Sequence, residues 1–212
     1  LKFQNRAQAG QIEKRFFTAK VEFRKKEDEP RRVSGLGVVY DKEVELWPGY
    51  MESVAKDAYK ESIERERDRA IKSYFNHDPN RVLATTKSDP PLVIENREDG
   101  VFYDAIIPDT SYGDDLETNL RVGNIEGSSY SFVIPEGGDE WYEDKEGVVH
   151  RRILKGEIFE IGPVTDPAFL DTPTNLRTAK EAYKNYQAQA SKGKSKLFIM
   201  RKKLDLKEKS II

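Results

Sequence analysis

The 212-residue sequence contains no cysteine, and that single absence excludes disulfides, thiolate zinc sites and a cysteine nucleophile. Histidine is nearly absent too: His77 and His150 are the only two, so any imidazole chemistry must use one of them. No apolar run approaches the roughly 20 residues needed to cross a bilayer, and the Lys- and Arg-bearing N-terminus lacks an apolar signal segment. A soluble, intracellular protein without a membrane partner is therefore expected. Carboxylates are plentiful, so counting alone leaves a carboxylate site for a hard cation open, but no motif asks for a metal or a cofactor and none is expected.

What is present is charge, at 35% of residues against 37% hydrophobic ones, with a total of only −2. The distribution is uneven. Residues 1–26 carry eight Lys/Arg and two acids, net +6; residues 175–212 carry eleven and three, net +8; with the total at −2, residues 27–174 hold −16. Basic arms flank an acidic body. Either the arms are simply solvated or they dock on an acidic partner, while a body of that sign repels phosphate and argues against specific nucleic-acid binding.

Hydrophobic periodicity places the elements. Phe17, Ala19, Val21 and Phe23 alternate, and Val33 to Val39 form a second apolar stretch beyond Pro30, which reads as two antiparallel strands. Glu52–Lys72 lacks Pro and Gly and is dense in Glu, Lys and Arg, the composition of a surface helix. Strands are expected at Ile71–Phe75, Val82–Thr86, Leu92–Glu95 and Val101–Ile107. Asp109, Thr110 or Ser111 can cap a helix that places Leu116 and Leu120 on one face and stops at Gly123. Strands Ser129–Ile134, Val148–Leu154 and Ile158–Val164 follow, with a Gly- and acid-rich hairpin tip over Glu136–Gly147 between the first two. Leu176, Ala179, Tyr183, Tyr186 and Ala190 then recur at helical steps. This gives a basic arm over 1–14, a folded domain over 15–173, a helix over 174–190 and a flexible basic tail over 191–212.

Two short segments could carry chemistry. Asn76-His77-Asp78-Pro79 puts a histidine at the end of a strand, where Asn, Asp and Pro favour a turn. Gly127-Ser128-Ser129-Tyr130-Ser131 puts three hydroxyls at the entry of another. Alone, each reads as easily as a hydrogen-bonded turn or loop. Chemically they are complementary, because a serine hydroxyl needs a base poised near neutral pH to attack a carbonyl, and histidine provides one.

Their order and flanks resemble the prohead serine proteases of tailed phages over roughly Phe16 to Thr172. Gly123-Asn124-Ile125-Glu126-Gly127-Ser128-Ser129-Tyr130-Ser131-Phe132 is similar to that family's serine motif, Asn76-His77-Asp78 to its histidine triplet, and Glu160-Ile161-Gly162-Pro163-Val164-Thr165-Asp166-Pro167-Ala168-Phe169 to its closing strand. Ala84, where the family usually has glycine, and Gly162-Pro163, where a serine and an apolar residue are usual, depart from the pattern.

The resemblance implies Ser129 as nucleophile, His77 as general base and Glu160 as the group that orients His77. His150, on the preceding strand, is the rival for that third role. It also implies an α+β fold, mainly an antiparallel β-barrel with a few surrounding helices, related to the herpesvirus maturational proteases, whose likeness raises a homodimer as a possibility. By the same analogy the Gly162–Thr165 turn is a candidate oxyanion donor. The implied activity is a serine endopeptidase inside an assembling procapsid in the host cytoplasm, with capsid and scaffold proteins as substrates and itself as another. A non-catalytic capsid-assembly or scaffolding protein on the same fold is the alternative.

Overall fold

The computed structural model describes residues 12–17, 21–65, 69–125, 127–165, 179–188 and 191. The chain divides into two compact units, Leu1–Leu176 and Arg177–Ile212. In the second, residues 179–188 are helical, as the spacing of Ala179, Tyr183 and Tyr186 predicts, while the tail beyond Ser191 and the segment 174–178 lie outside the described residues.

The first unit is built on three sheets. The five-stranded sheet runs β1 (Glu13–Phe17), β10 (Gly127–Val133), β13 (Glu157–Val164), β6 (Lys72–Tyr74) and β7 (Val82–Thr85). A four-stranded sheet runs β11 (Asp139–Glu143), β12 (Val149–Ile153), β5 (Tyr50–Val54) and β4 (Val44–Trp47). The other runs β2 (Val21–Arg24), β3 (Arg32–Val39), β9 (Gly100–Ile106) and β8 (Val93–Asn96). The fold is α+β and most pairings are antiparallel; β12 with β5 and β13 with β6 are parallel. A closed barrel requires the end strands of a sheet to pair. Among the described residues each sheet keeps two unjoined ends, so the expected barrel is replaced by three open sheets.

The core sits between these sheets. Val33, Val38, Tyr59, Tyr103, Leu116, Tyr130, Phe132, Ile158 and Ile161 are fully buried, each contributing about 1.5–3 kcal/mol where a large apolar side chain leaves water. Tyr130 stacks on Phe132 at 4.8 Å between centroids, and Tyr59 meets both edge-on. The helix α2 (Ser111–Arg121) starts where expected, the Thr110 hydroxyl accepting from Gly113 N at 3.2 Å. It ends at Gly123, whose φ of +81° suits the left-handed residue of a helix stop.

Three expectations are corrected. The helix over Glu52–Lys72 contracts to α1 (Lys60–Glu64), because residues 50–54 form β5 and Ala55 N extends that pairing by donating to Ile153 O at 2.8 Å. Helix propensities differ by only tenths of a kcal/mol per residue and yield to such tertiary pairing. The charged residues that suggested an exposed helix include Glu52, which is buried. The alternating stretch 15–23 holds two strands in different sheets, β1 and β2, and it is β2 that makes the expected antiparallel pair with β3. And the loop at 136–147 contains β11, where Trp141 and Tyr142 supply β-forming aromatics.

Arg151 lies on β12, within the strand expected over Val148–Leu154. It is 3% exposed and donates to Asp139 Oδ2, Glu13 and Glu52. Arg15, equally buried, donates to Glu13 at 2.6 Å and makes a two-pronged contact with Glu52. This cluster ties β1 to the β12–β5 sheet through paired charges, the arrangement that makes buried ions tolerable. Burial pushes the Glu52 carboxyl up, but Arg15 and Arg151 outweigh it and hold the group down at about 2.

Candidate active site

Three neighbouring strands of the five-stranded sheet position the candidate residues. Ser129 lies on β10, Glu160 on the adjacent β13, and His77 in the turn after β6, the strand beyond β13. Side chains alternate along a strand, so Ser129 and Ser131 share one face of β10 while Tyr130 and Phe132 enter the core on the other. Across the ladder Ser129 pairs with Gly162 and Ser131 with Glu160, which places Glu160 on that same face.

Gly162 explains how the histidine turn reaches this face. A Cβ at that position would lie 2.3 Å from Tyr74 O and 3.0 Å from Ser73 Oγ. Glycine is needed there because the backbone leading to His77 passes over it. The turn places Asn76 and His77 both in the left-handed region, at φ +55° and +58°, a conformation costing roughly 1–2 kcal/mol for an ordinary residue. Local bonds hold it. Asn76 N donates to Pro163 O at 3.1 Å, Thr165 N donates to Asn76 Oδ1 at 2.8 Å, and Asp78 N donates to Phe75 O at 3.2 Å.

The resulting geometry brings all three candidates together. His77 Nε2 lies 2.6 Å from Ser129 Oγ, and His77 Nδ1 lies 2.8 Å from each oxygen of Glu160. An ionised carboxylate only accepts hydrogen bonds, so Nδ1 carries a proton. In the neutral ring Nε2 is then unprotonated and faces the serine hydroxyl, which is the tautomer a general base requires. The hydroxyl also lies 2.8 Å from Arg15 O, to which it can donate when the imidazole is protonated on both nitrogens. Glu160 accepts a further bond, from Ser131 Oγ at 2.7 Å.

His150 is elsewhere. It lies on β12 in another sheet, stacked on Tyr142 at 4.5 Å, with Nδ1 2.8 Å from Glu43 and Nε2 3.3 Å from Asp144. The hydrogen bond with Glu43 raises its pKa above the ordinary histidine value. The suggested oxyanion turn is corrected as well: Gly162–Val164 belong to β13, Pro163 has no N–H, and the N–H of Thr165 is taken by Asn76. Ser128, the remaining hydroxyl of the motif, bonds Tyr103 OH at 2.9 Å.

Among the described residues no group of three or more His, Asp or Glu side chains could hold a metal ion, and no helix is long and apolar enough to cross a membrane. A serine, a correctly polarised imidazole and a buried carboxylate in one line can deliver an alkoxide-like nucleophile to a carbonyl and return the proton to a leaving group.

The family model described as caudovirus prohead serine protease matches residues 19–189, a span that includes His77, Ser129 and Glu160. Among solved structures, the bacteriophage T4 capsid assembly protease gp21 superposes with a TM-score of 0.49 and 13% identity, covering 73% of this chain and 97% of that one. No curated protein matches.

Proposed function

The chain belongs to the caudovirus prohead serine protease family, and from that premise we propose that it is an endopeptidase whose Ser129, His77 and Glu160 form the catalytic triad. The observation that carries the residue assignment is the 2.6 Å contact of His77 Nε2 with Ser129 Oγ, backed at Nδ1 by Glu160. Ser129 Oγ attacks the scissile carbonyl while its proton passes to Nε2. Glu160 holds Nδ1–H and stabilises the imidazolium that forms. Collapse of the tetrahedral adduct transfers that proton to the departing amine, leaving an acyl group on Ser129. Water, deprotonated by the same nitrogen, then releases the acyl product.

The substrates are scaffold protein, the scaffold-like segment of the capsid protein, and the protease itself, within the assembling procapsid. Cutting them makes maturation irreversible by removing the segments that hold the immature shell. The basic sequences at 1–26 and 175–212 suit recruitment by an acidic scaffold surface.

Co-expression with the cognate capsid and scaffold proteins, read by intact mass, tests this reading. Wild type yields shortened products and Ser129→Ala and His77→Ala yield full-length chains. Identical masses from wild type and Ser129→Ala overturn it and favour a non-catalytic assembly role.

A further inference from the structure

Resting on the triad assigned above, we infer that Ser131 is a positioning residue for the reaction: its hydroxyl fixes the carboxylate of Glu160, and through it the ring of His77. Ser131 is buried, and its Oγ donates to Glu160 Oε2 at 2.7 Å. Both carboxylate oxygens stand at the same 2.8 Å from His77 Nδ1, so the histidine alone does not select between them. Ser131 does.

The strand geometry points the same way. Ser131 is directly opposite Glu160, but the next pair is Phe132 with Ile158, so the register slips by one residue at this place and Phe159 is the extra one on β13. Such a bulge turns the neighbouring side chain out of the regular ladder. At Glu160 the turned side chain is buried, where an ionised carboxylate needs hydrogen bonds to stay charged. The nearby Ser128 has another use, with its hydroxyl on Tyr103 and its side chain on the opposite face of β10.

The test compares Ser131→Ala, Ser131→Thr and Ser131→Val with wild type and Ser129→Ala, using cleavage of scaffold protein and the nitrogen-15 spectrum of labelled histidine. Two histidines make the assignment simple, with His150 as an internal reference for folding. Loss of a hydrogen bond to a charged group predicts a fall in kcat of about 10- to 100-fold for Ser131→Ala with KM unchanged. The His77 Nδ1–H resonance moves upfield and broadens while the His150 signals stay in place. Thr and Val differ only by hydroxyl against methyl, so a higher kcat for Thr reads the hydroxyl apart from its bulk. Wild-type kcat and an unmoved His77 resonance in Ser131→Ala, or equal rates for Thr and Val, overturn the inference while Ser129→Ala stays inactive. Activity in Ser129→Ala instead overturns the triad assignment itself.

Discussion

His77 Nε2 and Ser129 Oγ approach to 2.6 Å across 52 positions of sequence, one from a left-handed turn and the other from the middle of a buried strand. Neither local structure produces this contact alone. It depends on β13 lying between them, with Gly162 bare enough to let the backbone before His77 pass and Glu160 placed to hold the ring.

Glu160→Gln keeps the size of the side chain but presents an amide whose N–H₂ can face Nδ1 and favour the wrong tautomer. A fall in kcat of about 10³- to 10⁴-fold is expected, by analogy with loss of the orienting carboxylate in serine protease triads. His150→Asn, made in a different sheet, is expected to keep full cleavage. Steady-state kinetics on a scaffold-derived substrate measures both, and the reverse pattern would transfer the third role to His150.

Gly162→Ala adds one methyl group where Tyr74 O already stands 2.3 Å from the Cβ position. Since backbone and not a flexible side chain blocks the site, the turn must lift, costing about 1–3 kcal/mol of stability as an overpacked substitution. Urea denaturation measures that loss. The His77–Ser129 distance grows with it, so cleavage should fall more than the lost stability alone explains.

Glu52→Gln removes one of the two carboxylates that Arg15 and Arg151 share, leaving Glu13 as the other. Breaking a buried ion pair from one side is expected to cost about 3–5 kcal/mol. The pH dependence has a definite sign: the folded pKa of about 2 lies below the ordinary 4.5, so the ionised group's contribution is full above that ordinary value and is lost as pH falls towards 2. The gap in thermal midpoint between wild type and Glu52→Gln should therefore be wide near neutral pH and narrow in acid. A gap that does not change with pH would remove Glu52 from the charged cluster.

The sequence made the candidate site residues more legible than the frame that holds them. Asn76-His77-Asp78 and the serine motif each span only a few residues, with local turn and strand preferences strong enough to place them at element ends. The choice between Glu160 and His150 was not local. Ten positions apart on successive strands, they part company only because β12 and β13 join different sheets. The helix expected over Glu52–Lys72 failed for a related reason: a buried glutamate facing two arginines has the same letters as an exposed one. Ser131 was hidden among three serines, and only the pairing of β10 with β13 separates its hydroxyl, on Glu160, from that of Ser128, on Tyr103. The β-barrel expectation came from family likeness, and sheet closure is a long-range property that strand periodicity does not encode.

The assignment of Ser129 as nucleophile is tested most directly by fluorophosphonate labelling of protein recovered from assembling procapsids, followed by peptide mass mapping. One adduct, on Ser129, is predicted in wild type, and none in His77→Ala. An adduct on another serine, no adduct at Ser129 in the wild-type protein, or labelling that His77→Ala leaves unchanged would contradict the account.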